Sequence, residues 1–172
     1  MNETIKTLTE RRSCRNFRPD PIPAEILDQI LEAGTYAATG MGRQSPIMIA
    51  VTAKTVRDRL SNMNAAVMGA HNDPFYGAPV VIAVLADRNV GTYLYDGSLV
   101  MGNLMNAAHS LGIASCWIHR AKEEFDSEEG KAILKSLGIE GDYEGIGHCV
   151  LGYAAAEPNT PAPRKANWIY RV

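Results

Sequence analysis

The amino-acid sequence predicts α/β layers, with helices flanking one central sheet. Segments with apolar residues at helical spacing alternate along the chain with short, wholly apolar runs. One such run, Pro79 to Ala86, is almost uninterrupted in apolar and β-branched residues, the pattern of a strand covered on both faces. The length of 172 residues, with 46% hydrophobic and 21% charged, suffices for one sizeable core and not comfortably for two. One domain spanning residues 1–172 is expected.

Each element has its own signal. Asn2 can cap a short helix carrying Ile5 and Leu8, which ends in the basic cluster Arg11-Arg12-Ser13-Cys14-Arg15. Pro23 at a first helical position, the acids Glu25 and Asp28, and Ile26, Leu27, Ile30 and Leu31 at helical spacing predict a second helix, running out near Gly34 to Thr39. Gly40 to Pro46 reads as loop, Ile47 to Ala53 as a buried strand, and Val56, Leu60, Met63 and Val67 mark a third helix. The Asp73-Pro74 turn leads into the strand at Pro79 to Ala86. Residues near Tyr95 to Leu111 form a long helix with one small or soft side (Met101, Gly102, Met105, Ala108), stopped by Gly112. Ile113 to Ile118 is the next strand. Asp126-Ser127-Glu128-Glu129 resembles a capping box and opens a helix through Ile133, Leu134 and Leu137 to Gly138; Gly147 to Tyr153 is the last core strand.

Residues 157–172 form an extended tail. Pro158, Pro161 and Pro163 keep it from regular structure, yet Trp168, Ile169, Tyr170 and Val172 give it an apolar end. Such an end needs a surface to cover it, either on its own domain or on a second copy.

Charge and composition exclude several function classes. A net charge of −2 does not provide the positive field of a general nucleic-acid binder. The longest apolar stretch, Val80 to Ala86, is far too short to span a bilayer, and Met1 to Arg11 lacks the apolar core of a secretory signal, so a cytoplasmic location is expected. The three cysteines, Cys14, Cys116 and Cys149, are widely spaced without a C-x-x-C, which predicts reduced thiols. Cys116 and Cys149 fall in buried strands and read as small apolar residues, and Met63, Met101 and Met105 read as core filler. The histidines His71, His109, His119 and His148 are scattered, and no metal site is expected. There is no G-x-x-x-x-G-K-[ST], no G-x-G-x-x-G and no G-x-S-x-G. Where catalytic side chains are this scarce, a cofactor that carries the chemistry is the natural alternative.

Arg11, Arg12 and Arg15 place three guanidinium groups within five residues, with the Ser13 hydroxyl among them. Guanidinium forks match phosphate oxygens in a bidentate way. The alternative is a solvated cluster paired with Glu10 and Asp20. The wider pattern bears on that choice. The cluster continues to Phe17, is followed by the helix from Pro23 to Ala33, and then by Ala37-Ala38-Thr39-Gly40-Met41-Gly42-Arg43-Gln44-Ser45-Pro46 before a strand. Ala78-Pro79-Val80-Val81-Ile82, Asp96-Gly97-Ser98, Asn103-Leu104-Met105, Leu111-Gly112-Ile113-Ala114-Ser115-Cys116-Trp117, Gly152-Tyr153 and Arg164-Lys165 follow in order. In this order and spacing the whole chain resembles the FMN-dependent nitroreductase family.

The resemblance implies an α+β fold of three layers, a central mixed sheet flanked by helices, and a homodimer of intertwined subunits with FMN at their interface. It implies that Arg11 contacts the FMN phosphate, with Arg164 and Lys165 closing the same charge pocket. Arg12 and Ser13 would hold the ribityl chain and ring edge, and Arg15 would lie near the pyrimidine end of the flavin. Thr39, Gly40, Met41, Gly42 and Gln44 would come from the opposite subunit, while Ile118 and His119 would present backbone groups to the ring. Gly42 stands where the family often has Asn, Ile47 stands where a Trp is frequent, and the shortness of the chain implies a reduced helical lid. The expected activity is hydride transfer from NAD(P)H through flavin N5 to a small-molecule acceptor such as a nitroaromatic or quinone, with ping-pong kinetics and no catalytic side chain. Two other readings stay open: an FMN-binding carrier or redox sensor for a partner protein, and a cofactor-free arginine docking site.

Overall fold

The computed structural model describes residues 1–172 and is organised around strand β2 (Val80–Asp87), in which every residue but the last is buried. β2 is the apolar run of the sequence, and its burial follows from its position. It pairs antiparallel with β1 (Pro46–Val51) on one side and with β4 (Tyr143–Gly152) on the other, and β4 carries β3 (Ala114–Ile118) at the far edge, giving the order β1-β2-β4-β3. All three ladders of the chain are antiparallel, where a mixed sheet was expected. The one parallel pairing is an isolated bridge between Ser13 and Ser115.

Two apolar layers sandwich the sheet. On one face Ile82, Val84, Cys149 and Leu151 meet Leu27 and Ile30 of helix α2 (Ala24–Thr35), with Met101, Leu104 and Ala108 of helix α4 (Tyr93–Ser110). On the other face Val81, Ala83, Leu85, Cys116 and Val150 meet Leu60 of α3 (Lys54–Met68), Phe125 of α5 (Ala121–Asp126), and Ile133 and Leu134 of α6 (Glu128–Ser136). The strand alternation thus divides one sheet between two cores.

The caps are where local chemistry places them. Asn2 Oδ1 accepts the Ile5 N–H at 2.9 Å and opens α1 (Glu3–Glu10). Ser127 Oγ accepts the Gly130 N–H at 3.0 Å and opens α6, but Gly130 occupies the third helical position, so the reciprocal half of a capping box is missing. Two features depart from the sequence pattern. α5 is a six-residue helix with no signal of its own, and β4 begins at Tyr143, four residues earlier than expected, through an irregularity opposite Val84 and Leu85. Gly145 allows this early start, since a Cβ there would lie 2.2 Å from the Ala121 carbonyl oxygen.

α1 buries none of its residues, and Ile5 and Leu8 stay exposed. The tail 157–172 forms no helix or strand and is exposed throughout, including Trp168, Ile169 and Tyr170. Its start, Glu157 to Asn159, lies beside its own domain, and Trp168, Ile169 and Tyr170 are left uncovered. No helix is long and apolar enough to cross a membrane.

Candidate functional site

The segment after α1 is stitched across the open ends of β3 and β4. Cys14 N–H donates to the Ser115 carbonyl at 2.9 Å, Arg18 N–H to Tyr153 O at 2.9 Å, and Ala155 N–H to Asn16 O at 2.9 Å. Between these ties lies a cavity of about 330 Å³ lined by Arg11, Arg12, Arg15, Ser115, His109 and the start of the tail at Glu157 to Asn159, among others. The arginine cluster of the sequence is therefore the wall of one cavity.

None of the three arginines forms an ion pair. Asp20, a candidate partner, pairs instead with Arg18 at 3.5 Å, and Glu10 lines the cavity without closing on a guanidinium. Arg12 Nη1 turns back onto the carbonyls that end α1, Thr9 O at 2.8 Å and Arg11 O at 2.7 Å. Arg15 is exposed. Arg11 Nη1 is buried with no hydrogen-bond partner, and so is Ser115 Oγ. A buried donor without an acceptor is costly, so two such atoms beside one cavity fit an oxygen-rich anion there. The same charges act on the thiol beneath. Burial pushes Cys116 up, against the opposing pull of Arg15, the Ser13 hydroxyl and Arg11.

The other expected residues lie elsewhere in the chain. Thr39 to Gln44 form a tight loop around a 3-10 turn (Gly40–Gly42) and do not reach the arginine cavity. Met41, Gly42 and Gln44 have φ of 55°, 67° and 49°, so the loop holds two non-glycine residues in the left-handed region. Ile118 is buried in β3 and His119 is exposed just beyond it; the His119 carbonyl accepts from Asn64 Nδ2 at 2.8 Å. Within the single chain Arg164 and Lys165 do not line the cavity that Arg11 lines. Arg164 Nη2 donates to Ala162 O at 2.8 Å and Lys165 Nζ stands 4.8 Å over the Trp168 ring, both in the exposed tail.

Two residues are missed by the sequence reading. Ser115 is a hydroxyl in an otherwise apolar strand, which is a usable signal. Asp96, an acid in the first turn of α4, is 2% exposed and has no cation beside it. It accepts from Gly40 N–H at 2.9 Å, Ser45 Oγ at 2.7 Å and Thr92 Oγ1 at 3.0 Å. Burial acts to raise its carboxyl, and these three hydrogen bonds outweigh burial and hold it below the ordinary value.

Comparison with known proteins gives the family and the fold. The sequence model of the Nitroreductase family matches residues 8–70 and 64–153. A solved nitroreductase with bound FMN from Bacteroides fragilis is 31% identical, with full coverage of both chains and a TM-score of 0.88. A second, also with bound FMN, from Desulfitobacterium hafniense, is 30% identical with full coverage and a TM-score of 0.89. A relative from Archaeoglobus fulgidus, provisionally named an NADH dehydrogenase/NAD(P)H nitroreductase, is 32% identical over 164 residues, covering 91% of this chain and 88% of its own.

Proposed function

We propose that this chain, which belongs to the nitroreductase family, works as an FMN-dependent NAD(P)H oxidoreductase that reduces small electron-poor acceptors such as nitroaromatics or quinones. The observation that carries the reading is the cavity walled by three guanidinium groups that pair with no acid, one with a buried, unpartnered Nη1. Arg11 and Ser115 would take the phosphate end of FMN there, and Arg15 would supply a fixed positive charge toward the ring. FMN, when bound, supplies hydride chemistry at N5. The chain itself need only bind, orient and exclude competing groups. With one open site serving donor and acceptor in turn, double-reciprocal plots at several acceptor concentrations should be parallel.

A second copy completes the reading. Gln44 and the Thr39 to Gly42 loop lie away from the arginine cavity of their own chain, and Ile5, Leu8, Tyr36, Met41, Tyr95 and the tail residues Trp168 to Tyr170 leave apolar surface uncovered. In a homodimer the loop of one subunit would meet the flavin of the other, and the tail would gain the surface it lacks. Heat denaturation of the purified protein followed by chromatography should release FMN, and light scattering should give twice the chain mass. Release of FAD, a colourless protein, or a monomer that turns over would refute it.

A further inference from the structure

The loop that carries Gln44 is held by a single carboxylate at both of its ends. Asp96 Oδ1 accepts the Gly40 N–H, and Asp96 Oδ2 accepts the hydroxyl of Ser45, five residues further on, as well as that of Thr92. Inside the loop, Gly42 N–H reaches Thr39 O at 3.1 Å and Gln44 N–H reaches Thr39 Oγ1 at 3.1 Å. Nothing apolar holds its tip, since Met41, Gly42, Arg43 and Gln44 are all exposed. Met41 and Gln44 nevertheless occupy left-handed backbone, which an L side chain adopts only where its surroundings over-determine it. The loop also sits tight on α4, because a Cβ on Gly40 would lie 2.3 Å from Thr92 Oγ1. A buried carboxylate with no cation is an expensive anchor, and here hydrogen bonds to the two loop ends and the first turn of α4 satisfy it.

We propose that Asp96 is a positioning residue that clamps the ends of the Thr39–Ser45 loop and so holds Gly42 and Gln44 in the shape that meets the flavin of the partner subunit. The clamp acts through the backbone and touches neither cofactor nor substrate. Its functional half rests on the assignment of this loop to the flavin, and its structural half does not. A carboxylate serves because Gly40 N–H and both hydroxyls can all donate to it at once. An amide would keep the Gly40 bond at its oxygen and could donate to one hydroxyl turned around, so Asp96→Asn should preserve most of the clamp, whereas Asp96→Ala removes it.

Trypsin reads the loop directly, because Arg43 is exposed and the Arg43–Gln44 bond lies at its tip. In the FMN-free protein, Asp96→Ala should be nicked there at least tenfold faster than the parent, a factor set by the loss of charge-assisted hydrogen bonds. Asp96→Asn should stay close to the parent. Flavin-fluorescence titration of FMN-free protein should show FMN binding weakened roughly tenfold by Asp96→Ala and by Gln44→Ala. Gly40→Ala, which drives a methyl into Thr92 while leaving Asp96 in place, should reproduce the Asp96→Ala pattern and carries the test if Asp96→Ala does not fold. Parental nicking rates in folded Asp96→Ala or Gly40→Ala overturn the clamp. If Gln44→Ala binds FMN like the parent, the assignment of the loop to the flavin fails instead. If Gln44→Ala weakens binding and Asp96→Ala does not, Asp96 has no positioning role.

Discussion

Replacing Arg11 by alanine should move the stability of the FMN-free and FMN-loaded protein in different directions. In the free protein Arg11 Nη1 is buried without a partner, and a buried unsatisfied donor costs about 1–3 kcal/mol. Its removal should therefore leave the melting temperature of the FMN-free protein unchanged or raise it. In the loaded protein the same group would make a charge-assisted bond to phosphate worth about 1.5–3 kcal/mol, so FMN affinity should fall roughly 10- to 150-fold. At an FMN concentration 100 times the parental Kd, binding stabilises by about 2.7 kcal/mol; a tenfold weaker variant retains about 1.4 kcal/mol. For a chain of this size, that difference corresponds to an FMN-induced rise in melting temperature smaller by roughly 3–5 °C. Differential scanning calorimetry with and without FMN, with flavin-fluorescence titration for affinity, measures both quantities. Equal affinity in the variant removes Arg11 from the phosphate site. A fall in the melting temperature of the FMN-free variant would show that the guanidinium serves the fold.

Arg57 is a contrasting case, buried and engaged through Nε to Ala78 O at 2.9 Å and Nη2 to Asp73 at 2.5 Å. Arg57→Met should destabilise by about 2–3 kcal/mol, below the cost of breaking a fully buried pair because Asp73 is 34% exposed, and should lower the melting temperature by roughly 4–12 °C. A loss under 1 °C would contradict that. Burial acts to raise the Asp73 carboxyl, but bonds from Arg57, Ser61 and the N–H groups of Gly77 and Phe75 outweigh it and hold the group below its ordinary value of 3.8. The stability it contributes is present above the unfolded value and lost as pH falls through the lowered folded value, so the melting temperature should drop below pH 3.8. That drop should be smaller in Asp73→Asn. In a thiol assay at mild alkaline pH, only half-buried Cys14 should react in the native protein, since burial pushes Cys116 up and Cys149 up to about 12. All three should react in denaturant, FMN should slow Cys14, and a second native thiol reacting promptly would refute the buried assignment.

The parts of the fold that announce themselves in sequence are those whose physics is local. The β-branched run of β2, the Pro23 start of α2 and the Asn2 and Ser127 caps each act within a few residues. α5 buries only Ala121, Glu124 and Phe125 and is too short for a periodic pattern, and the early half of β4 is hidden by Gly145 and Gly147. Gly145 is there because α5 comes within 2.2 Å of where its Cβ would stand, a requirement set by residues far along the chain. The site divides in the same way. The arginine cluster is legible because its members lie within five residues, while Asp96 is not, because Gly40 and Ser45 lie 56 and 51 positions away. In the proposed homodimer the positions of Gln44, Arg164 and Lys165 relative to the cavity would depend on the second chain, which no local pattern encodes.

The arginines of the chain divide into those that meet an acid and those that do not. Arg88 is held by Asp126, Asp142 and Glu144 at 2.6, 3.0 and 2.9 Å, and Arg59 meets Glu129 at 2.5 Å. Arg57 has Asp73, and Arg18 has Asp20. Arg43, Arg120, Arg164 and Arg171 meet no acid, and neither do Arg11, Arg12 and Arg15, although Glu10 and Glu157 line the cavity of those three. Exposed pairs contribute at most about 1 kcal/mol, so leaving Arg12 and Arg15 unpaired sacrifices little. Leaving Arg11 Nη1 buried and unsatisfied costs more than that, and a phosphate oxygen in the cavity would offset it. An acid closing on that guanidinium would satisfy the free protein but would then have to be displaced by any phosphate, at a cost similar to the bond gained. The unpaired state is the one in which the whole charge-assisted interaction is available to the ligand.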